Sequence, residues 1–318
     1  MKAARINPPT NQLGSGVTEK DLQDAVSKSG FPVQTIVANF LRPKFHVQEE
    51  WGYIDKDSKE PRTLDILAEH SLHDPTNLRV RPILNLLIEC KQSALPYVFF
   101  LSEGKPWIPR FPLTAGLREE SVTIATDDDP SSWSVPILTS FGLDSHPFIK
   151  EVEYCMSFAK CVRKGNDLEL VGSEPFHALI LPILKAMHHF RVTEAPKKSH
   201  VYFDCHLVCG IGVINAPMVG VHVGEQSHDL MLLPWVRVVR HEADVVEDLH
   251  TGKSLFAIDI VHKDFFRVYV AEQVLPFAEA FSRLAIKHQE VLASGKAFAT
   301  GIGKDSFSNI EQRLRPKK

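Results

Sequence analysis

The sequence predicts an α/β fold with a mixed central sheet flanked by helices and an elaborated C-terminal half. Strand-like apolar runs follow one another between residues 45 and 101 and again between 200 and 262, helical periodicities stand before, between and after them, and no low-complexity linker or internal repeat divides the chain. Composition agrees. Of 318 residues, 44% are hydrophobic and 24% charged, with only 17 Gly and 21 Pro, enough to bury a large core and inconsistent with disordered, collagenous or coiled-coil chains. Thirty-six Lys and Arg against 39 Asp and Glu give a net charge of -3, so any nucleic-acid contact must come from local patches.

The first element is TEKDLQDAVSKSG, a short helix with a Thr18 cap, acids in its first turn and a stop at Gly30. From Pro32 a second helix places Val33, Ile36, Val37, Phe40 and Leu41 on one apolar face before Pro43 ends it. Strands follow at 45–55, 63–70, 81–91 and 95–101; the third is the most apolar and reads as a central strand covered on both faces. Between Ser102 and Gly172 the signals weaken into a Pro-rich turn region, an acidic loop TDDDPSS and the stretch IKEVEYCMSFAKCVRKG, which reads as an amphipathic helix. From Ser173 the pattern recovers with SEPFHALILPILKAMHHF, a helix that Pro182 should kink. Strands at 200–214, 217–223, 233–240 and 255–262 and a long helix over 266–293 complete the chain. The resulting division is an N-terminal extension (1–29), a core (30–105), an insertion (106–172) and an α/β completion of the same domain (173–318).

The N-terminal MKAARINPPTNQLGSG lacks the apolar core of a signal peptide, and no eighteen-residue apolar run occurs, so the reading is a cytoplasmic protein without membrane contact. Five cysteines are too few, and odd in number, for a disulfide scaffold. Cys205 and Cys209 alternate with apolar residues in VYFDCHLVC, which places them on one buried strand face and disfavours a zinc cluster with His200 and His206. His188 and His189, adjacent on a helix, cannot share a face as a metal pair.

The chemistry signal is Asp65 in TLDIL, followed by Glu89 and Lys91 in LLIECK. Residues two apart on a strand share a face, so Glu89 and Lys91 point the same way at the end of the most apolar run. The triplets Asp57-Ser58-Lys59 and Glu103-Gly104-Lys105 have the same spacing but sit in turns. Two carboxylates converging from neighbouring strands form a hard oxygen site suited to Mg²⁺, which keeps waters and takes substrate phosphate. The ammonium can offset developing negative charge during phosphodiester hydrolysis. An ion pair of Lys91 with Glu89 or Asp65 at a sheet edge is the purely structural alternative.

The order GFPVQ (30–34), WGYID (51–55), RTLDILA (62–68), LLIECKQS and PYVFFL resembles the core of the PD-(D/E)xK nuclease superfamily, the restriction-endonuclease-like fold, over about residues 30 to 101. That resemblance implies a metal-dependent nuclease using Mg²⁺ or Mn²⁺, most simply a DNA endonuclease in bacterial defence or DNA processing, with double-stranded DNA as partner. It implies Asp65 and Glu89 as metal ligands, the Cys90 carbonyl as a further ligand and Lys91 as the catalytic lysine. Many members carry a Glu on the first helix; Gln34 stands there in this chain, able to orient water or substrate but uncharged. The alternative is therefore a nuclease-fold protein without catalysis, serving as a nucleic-acid-binding or assembly module. Lys185, His188, His189, Arg191, Lys197, Lys198, Arg237, Arg240 and the tail RLRPKK are the basic groups available for a DNA cradle, unless they form a solvated face. No motif separates DNA from RNA, or fixes a protein partner or homo-oligomer.

Overall fold

Thirteen residues, Val80–Gln92, form the strand beside which the rest of the sheet is laid. In the computed structural model of the protein, which describes residues 2, 4–74, 78–108, 111–127, 131–241, 255–301 and 309–317, this is β3. Before it come β1 (His46–Ile54) and β2 (Pro61–Ser71), and after it β4 (Tyr97–Leu101), β5 (Leu113–Ala115), β6 (Ser121–Thr126), β7 (Ser132–Pro136), β8 (Tyr154–Lys164) and β9 (Asp167–Val171). The C-terminal half adds β10 (Phe203–Asn215), β11 (Met218–Val223), β12 (His228–Leu232), β13 (Trp235–His241), β14 (Leu255–His262), β15 (Lys296–Ala299) and β16 (Arg315–Pro316). The main sheet is mixed and runs β1-β2-β3-β10-β14-β13-β8-β4-β11-β12, with β5 added to β10 and β9 to β8.

β3 pairs antiparallel with β2 and parallel with β10 over its whole length, from Val80 opposite Phe203 to Gln92 opposite Asn215. β14 continues the parallel set beyond β10. Leu84 through Cys90 are all buried, as expected for a parallel strand with both faces covered. Of the longer helices, α1 (Glu19–Lys28) is capped as the sequence implies, Thr18 and Asp21 forming a reciprocal capping box, but it buries no residue. The second, α2 (Phe31–Leu41), packs Val33, Val37 and Leu41 into the core on one face of the sheet, joined there by α4 (Leu275–Lys287). Ile36, expected on the same apolar face, is exposed. Against the opposite face lies α3 (Leu181–Thr193). Its close seat needs glycine: a Cβ on Gly210 of β10 would stand 2.7 Å from Ile183 and Met187, and one on Gly212 2.9 Å from Leu179. The turn before α3, Phe176–Ile180, is wide, with π-type spacing, immediately ahead of Pro182, whose missing N–H interrupts regular helix at the expected place.

Two further features differ from the sequence reading. The stretch expected as a helix within 149–165 is β8, lying between β13 and β4 inside the main sheet. Its buried positions, 154, 155, 158, 159 and 161, imitate helical spacing, but pairing with three strands decides the outcome. A second sheet, β16-β15-β6-β7, ties residues 121–136 to the C-terminal region, which no periodicity announced. Part of the acidic loop TDDDPSS lies outside the described residues. Cys205 and Cys209 are buried free thiols on β10, and burial raises both far above the usual thiol range. Among the described residues no helix is long and apolar enough to cross a membrane.

Candidate active site

The β2–β3 ladder ends at the pair Ile66–Ile88, although β2 goes on pairing with β1 as far as Pro61. Continuing the register outward sets Asp65 opposite Glu89, where the two strands part. Parting leaves the Cys90 amide without a partner on β2, and the Asp65 side chain supplies one: Oδ2 accepts from Cys90 N at 2.6 Å. From the next residue on the Glu89 face, Lys91 Nζ donates to Glu89 Oε1 at 2.6 Å. Glu89 is only 7% exposed, and its second oxygen, Oε2, is buried with no hydrogen-bond partner among the described residues.

This arrangement puts two acids in a poorly solvated place. Burial pushes the Glu89 carboxyl up to about 7; the neighbouring Asp65 charge adds to the shift, while Lys91 opposes it. Asp65 is raised by burial too, against the Cys90 N–H and Lys91, which favour its ionised form. Two carboxylates that resist ionising side by side, one with an orphaned buried oxygen, are what a bound cation would relieve, so the residues fit a hard divalent ion. The Cys90 carbonyl faces Gly30 at the start of α2, at 3.5 Å from where a Cβ there would stand. Among the described residues no group of three or more His, Cys, Asp or Glu side chains gathers in a metal-binding arrangement, so the candidate protein ligands are two carboxylates and a carbonyl.

Gln34 reaches the same place. It is 6% exposed on α2 and its Nε2 donates to the Asp65 carbonyl at 3.2 Å and to Glu50 Oε1 at 2.8 Å. Glu50 is the residue sequence reasoning missed. It interrupts the β1–β2 ladder opposite Asp65, with a left-handed backbone (φ 51°) that is costly for a residue with a side chain. Its charge adds to the rise in the Asp65 pKa. The only sequence trace was an acidic pair, Glu49-Glu50, in the middle of an otherwise alternating strand.

No family model, curated protein or solved structure matches the chain.

The basic groups gathered by sequence as a cradle have mixed fates. Arg237 is fully buried and paired with Asp259. Lys185 is held by Asp55 at 2.6 Å and Asp57 at 3.2 Å, which together with Arg62 pin the β1–β2 turn to α3. Arg191 pairs with Glu120, His189 packs against the Trp51 and Tyr53 rings, and Arg240 covers Phe158 and Phe176. Lys197 and Lys198 are exposed. At the Lys91 end, Gln92 Oε1 accepts from Asn215 Nδ2 at 2.5 Å, so Gln92 is tied to the end of β10.

Proposed function

We propose that the chain is a metal-dependent nuclease that hydrolyses phosphodiester bonds, most simply a DNA endonuclease. The observation that carries this reading is the meeting of Asp65, Glu89 and Lys91 where β2 and β3 part, with an unsatisfied, buried Glu89 oxygen at the centre. Asp65, Glu89 and the Cys90 carbonyl would hold Mg²⁺ or Mn²⁺, which when bound polarises a phosphoryl oxygen and acidifies water. Lys91 brings a positive charge to the reacting phosphate, where it offsets the charge that develops in the transition state. Gln34 holds the Glu50 carboxylate next to Asp65, so the acid missing from the helix is supplied by the neighbouring strand. Asp65 has a second task, since the same carboxylate that would bind metal also fixes the Cys90 backbone.

Incubation with supercoiled plasmid DNA tests this. Nicking or linearisation with Mg²⁺ or Mn²⁺, abolished by a chelator and by Lys91→Ala, is the expected result. A chain that binds DNA without cutting it under either metal would instead be a catalytically degenerate binding module, the reading that the uncharged Gln34 favours. Parallel incubation with single-stranded RNA separates the two nucleic acids as substrates.

A further inference from the structure

Away from the carboxylates, on the β8–β13 side of the main sheet, a cavity of about 510 Å³ opens beside Arg237. That volume lies within the range of small-molecule sites. Arg237 is wholly buried, and its guanidinium is only partly satisfied. Nε and Nη2 donate to Asp259 Oδ1 and Oδ2 at 2.7 and 2.9 Å, and Tyr269 Oη donates to the same Oδ2 at 2.8 Å. Nη1 has no partner. A buried guanidinium nitrogen without a full hydrogen-bond partner is uncommon and points to an acceptor that the described residues do not supply.

The walls are aromatic. The guanidinium carbon stands over the Phe111 ring, 3.8 Å from its centroid, Tyr154 lines the same space, and Trp107 is half exposed at its side. Lys105 and Lys150 are exposed lining residues, Lys105 Nζ donating to the Lys150 carbonyl, and Asp144 is the acid that faces Lys150. Among the described residues, and counting Asp259, three cations stand against two acids, which leaves one positive charge for a ligand to match.

We propose that this cavity binds a small aromatic monoanion, its ring among Trp107, Phe111 and Tyr154 and its acid group accepting from Arg237 Nη1. The site is separate from the carboxylate cluster and does not depend on the nuclease reading. Its polar anchor is prepared in advance, because Asp259 and Tyr269 fix the guanidinium in one orientation and leave only Nη1 to donate.

The test is calorimetric titration of the full chain with 2-naphthoate. Saturable one-to-one binding is expected, with the uncharged 2-naphthamide and the non-aromatic cyclohexanecarboxylate each weaker by about tenfold or more. Thr139→Trp, which fills the cavity from a partly exposed lining position, should abolish binding. Should that variant fail to fold, Lys105→Ala on the surface must weaken naphthoate about threefold or more while leaving the amide unchanged. Naphthamide binding as tightly as naphthoate, binding that survives Thr139→Trp, or no saturable binding of naphthoate would each overturn the proposal.

Discussion

Asp65 and Cys90 are joined across the gap between β2 and β3 by a 2.6 Å hydrogen bond from the Cys90 amide to the Asp65 carboxylate. The strands can separate at this point because a side chain replaces the missing backbone partner, and the separation gives Glu89 and Lys91 room to face the same space.

Replacing Lys91 by Ala removes the positive charge and leaves both carboxylates in place. Cleavage should fall by about two to three orders of magnitude. The fold and DNA affinity should be retained, as read by circular dichroism and by binding to a labelled duplex in Ca²⁺. Asp65→Asn should instead raise the Mg²⁺ needed for activity, with partial recovery at high concentration. Unchanged cleavage by Lys91→Ala would remove the lysine from the mechanism.

Gln34→Glu places a second carboxylate against Glu50 and the Asp65 carbonyl and deletes the donor that both accept from. Without divalent metal the variant should lose about 1–3 kcal/mol, the cost of leaving part-buried acceptors unmatched. Mg²⁺ should restore part of that loss, whereas Glu50→Gln should weaken cation binding with little effect on the metal-free melting temperature. Thermal melts with and without Mg²⁺ decide it: a metal-free Gln34→Glu as stable as the parent chain would contradict the Gln34–Glu50 contact.

Asp259→Asn keeps the shape of the buried pair but removes the charge that balances Arg237. Equilibrium urea unfolding should show a loss of about 3–5 kcal/mol, whereas replacing both partners with apolar residues of similar volume should cost far less. Equal losses for the single and the double variant would mean that packing, not the unpaired charge, sets the cost.

His206 is buried on β10, its Nδ1 facing Asn85 Nδ2 at 2.9 Å, and burial lowers its pKa from 6.5 to about 4. The unfolded chain takes up this proton near pH 6.5 and the folded chain only near 4, so the stabilisation is complete above 6.5 and is lost as pH falls through that window. The limiting size is about 3 kcal/mol. His206→Gln should flatten the urea midpoint between pH 6.5 and 4 relative to the parent chain; identical pH profiles would show that the histidine plays no part.

The strands from β1 to β4 and the helix at 31–41 were readable because long apolar runs bounded by turn residues allow few alternatives. Asp65, Glu89 and Lys91 were readable for the opposite reason, as charges placed where an apolar strand leaves the core. Glu50 was not, since its position depends on a left-handed backbone and on the register of β1 with β2, neither of which has a local signature. Arg237 was taken for a surface group because Asp259, its partner 22 residues away, becomes visible only once β13 lies beside β14. The strand at 154–164 reads as a helix in the sequence because a bulge in its pairing with β4, between Phe100 and Leu101, shifts the register of its buried positions to a near-helical spacing.

The parallel pairing of β3 with β10 also sets an order of events during synthesis. About 110 residues separate the end of β3 from the start of β10. At ordinary ribosomal rates the most apolar strand of the protein leaves the exit tunnel and waits, with one edge bare, for on the order of ten seconds before its partner is made. β2 can cover only the other edge in that interval. The nascent chain thus passes through a stage in which a long, sticky strand border is open to neighbouring polysomes, and its yield in cells should depend on chaperone capacity more than its finished stability would suggest.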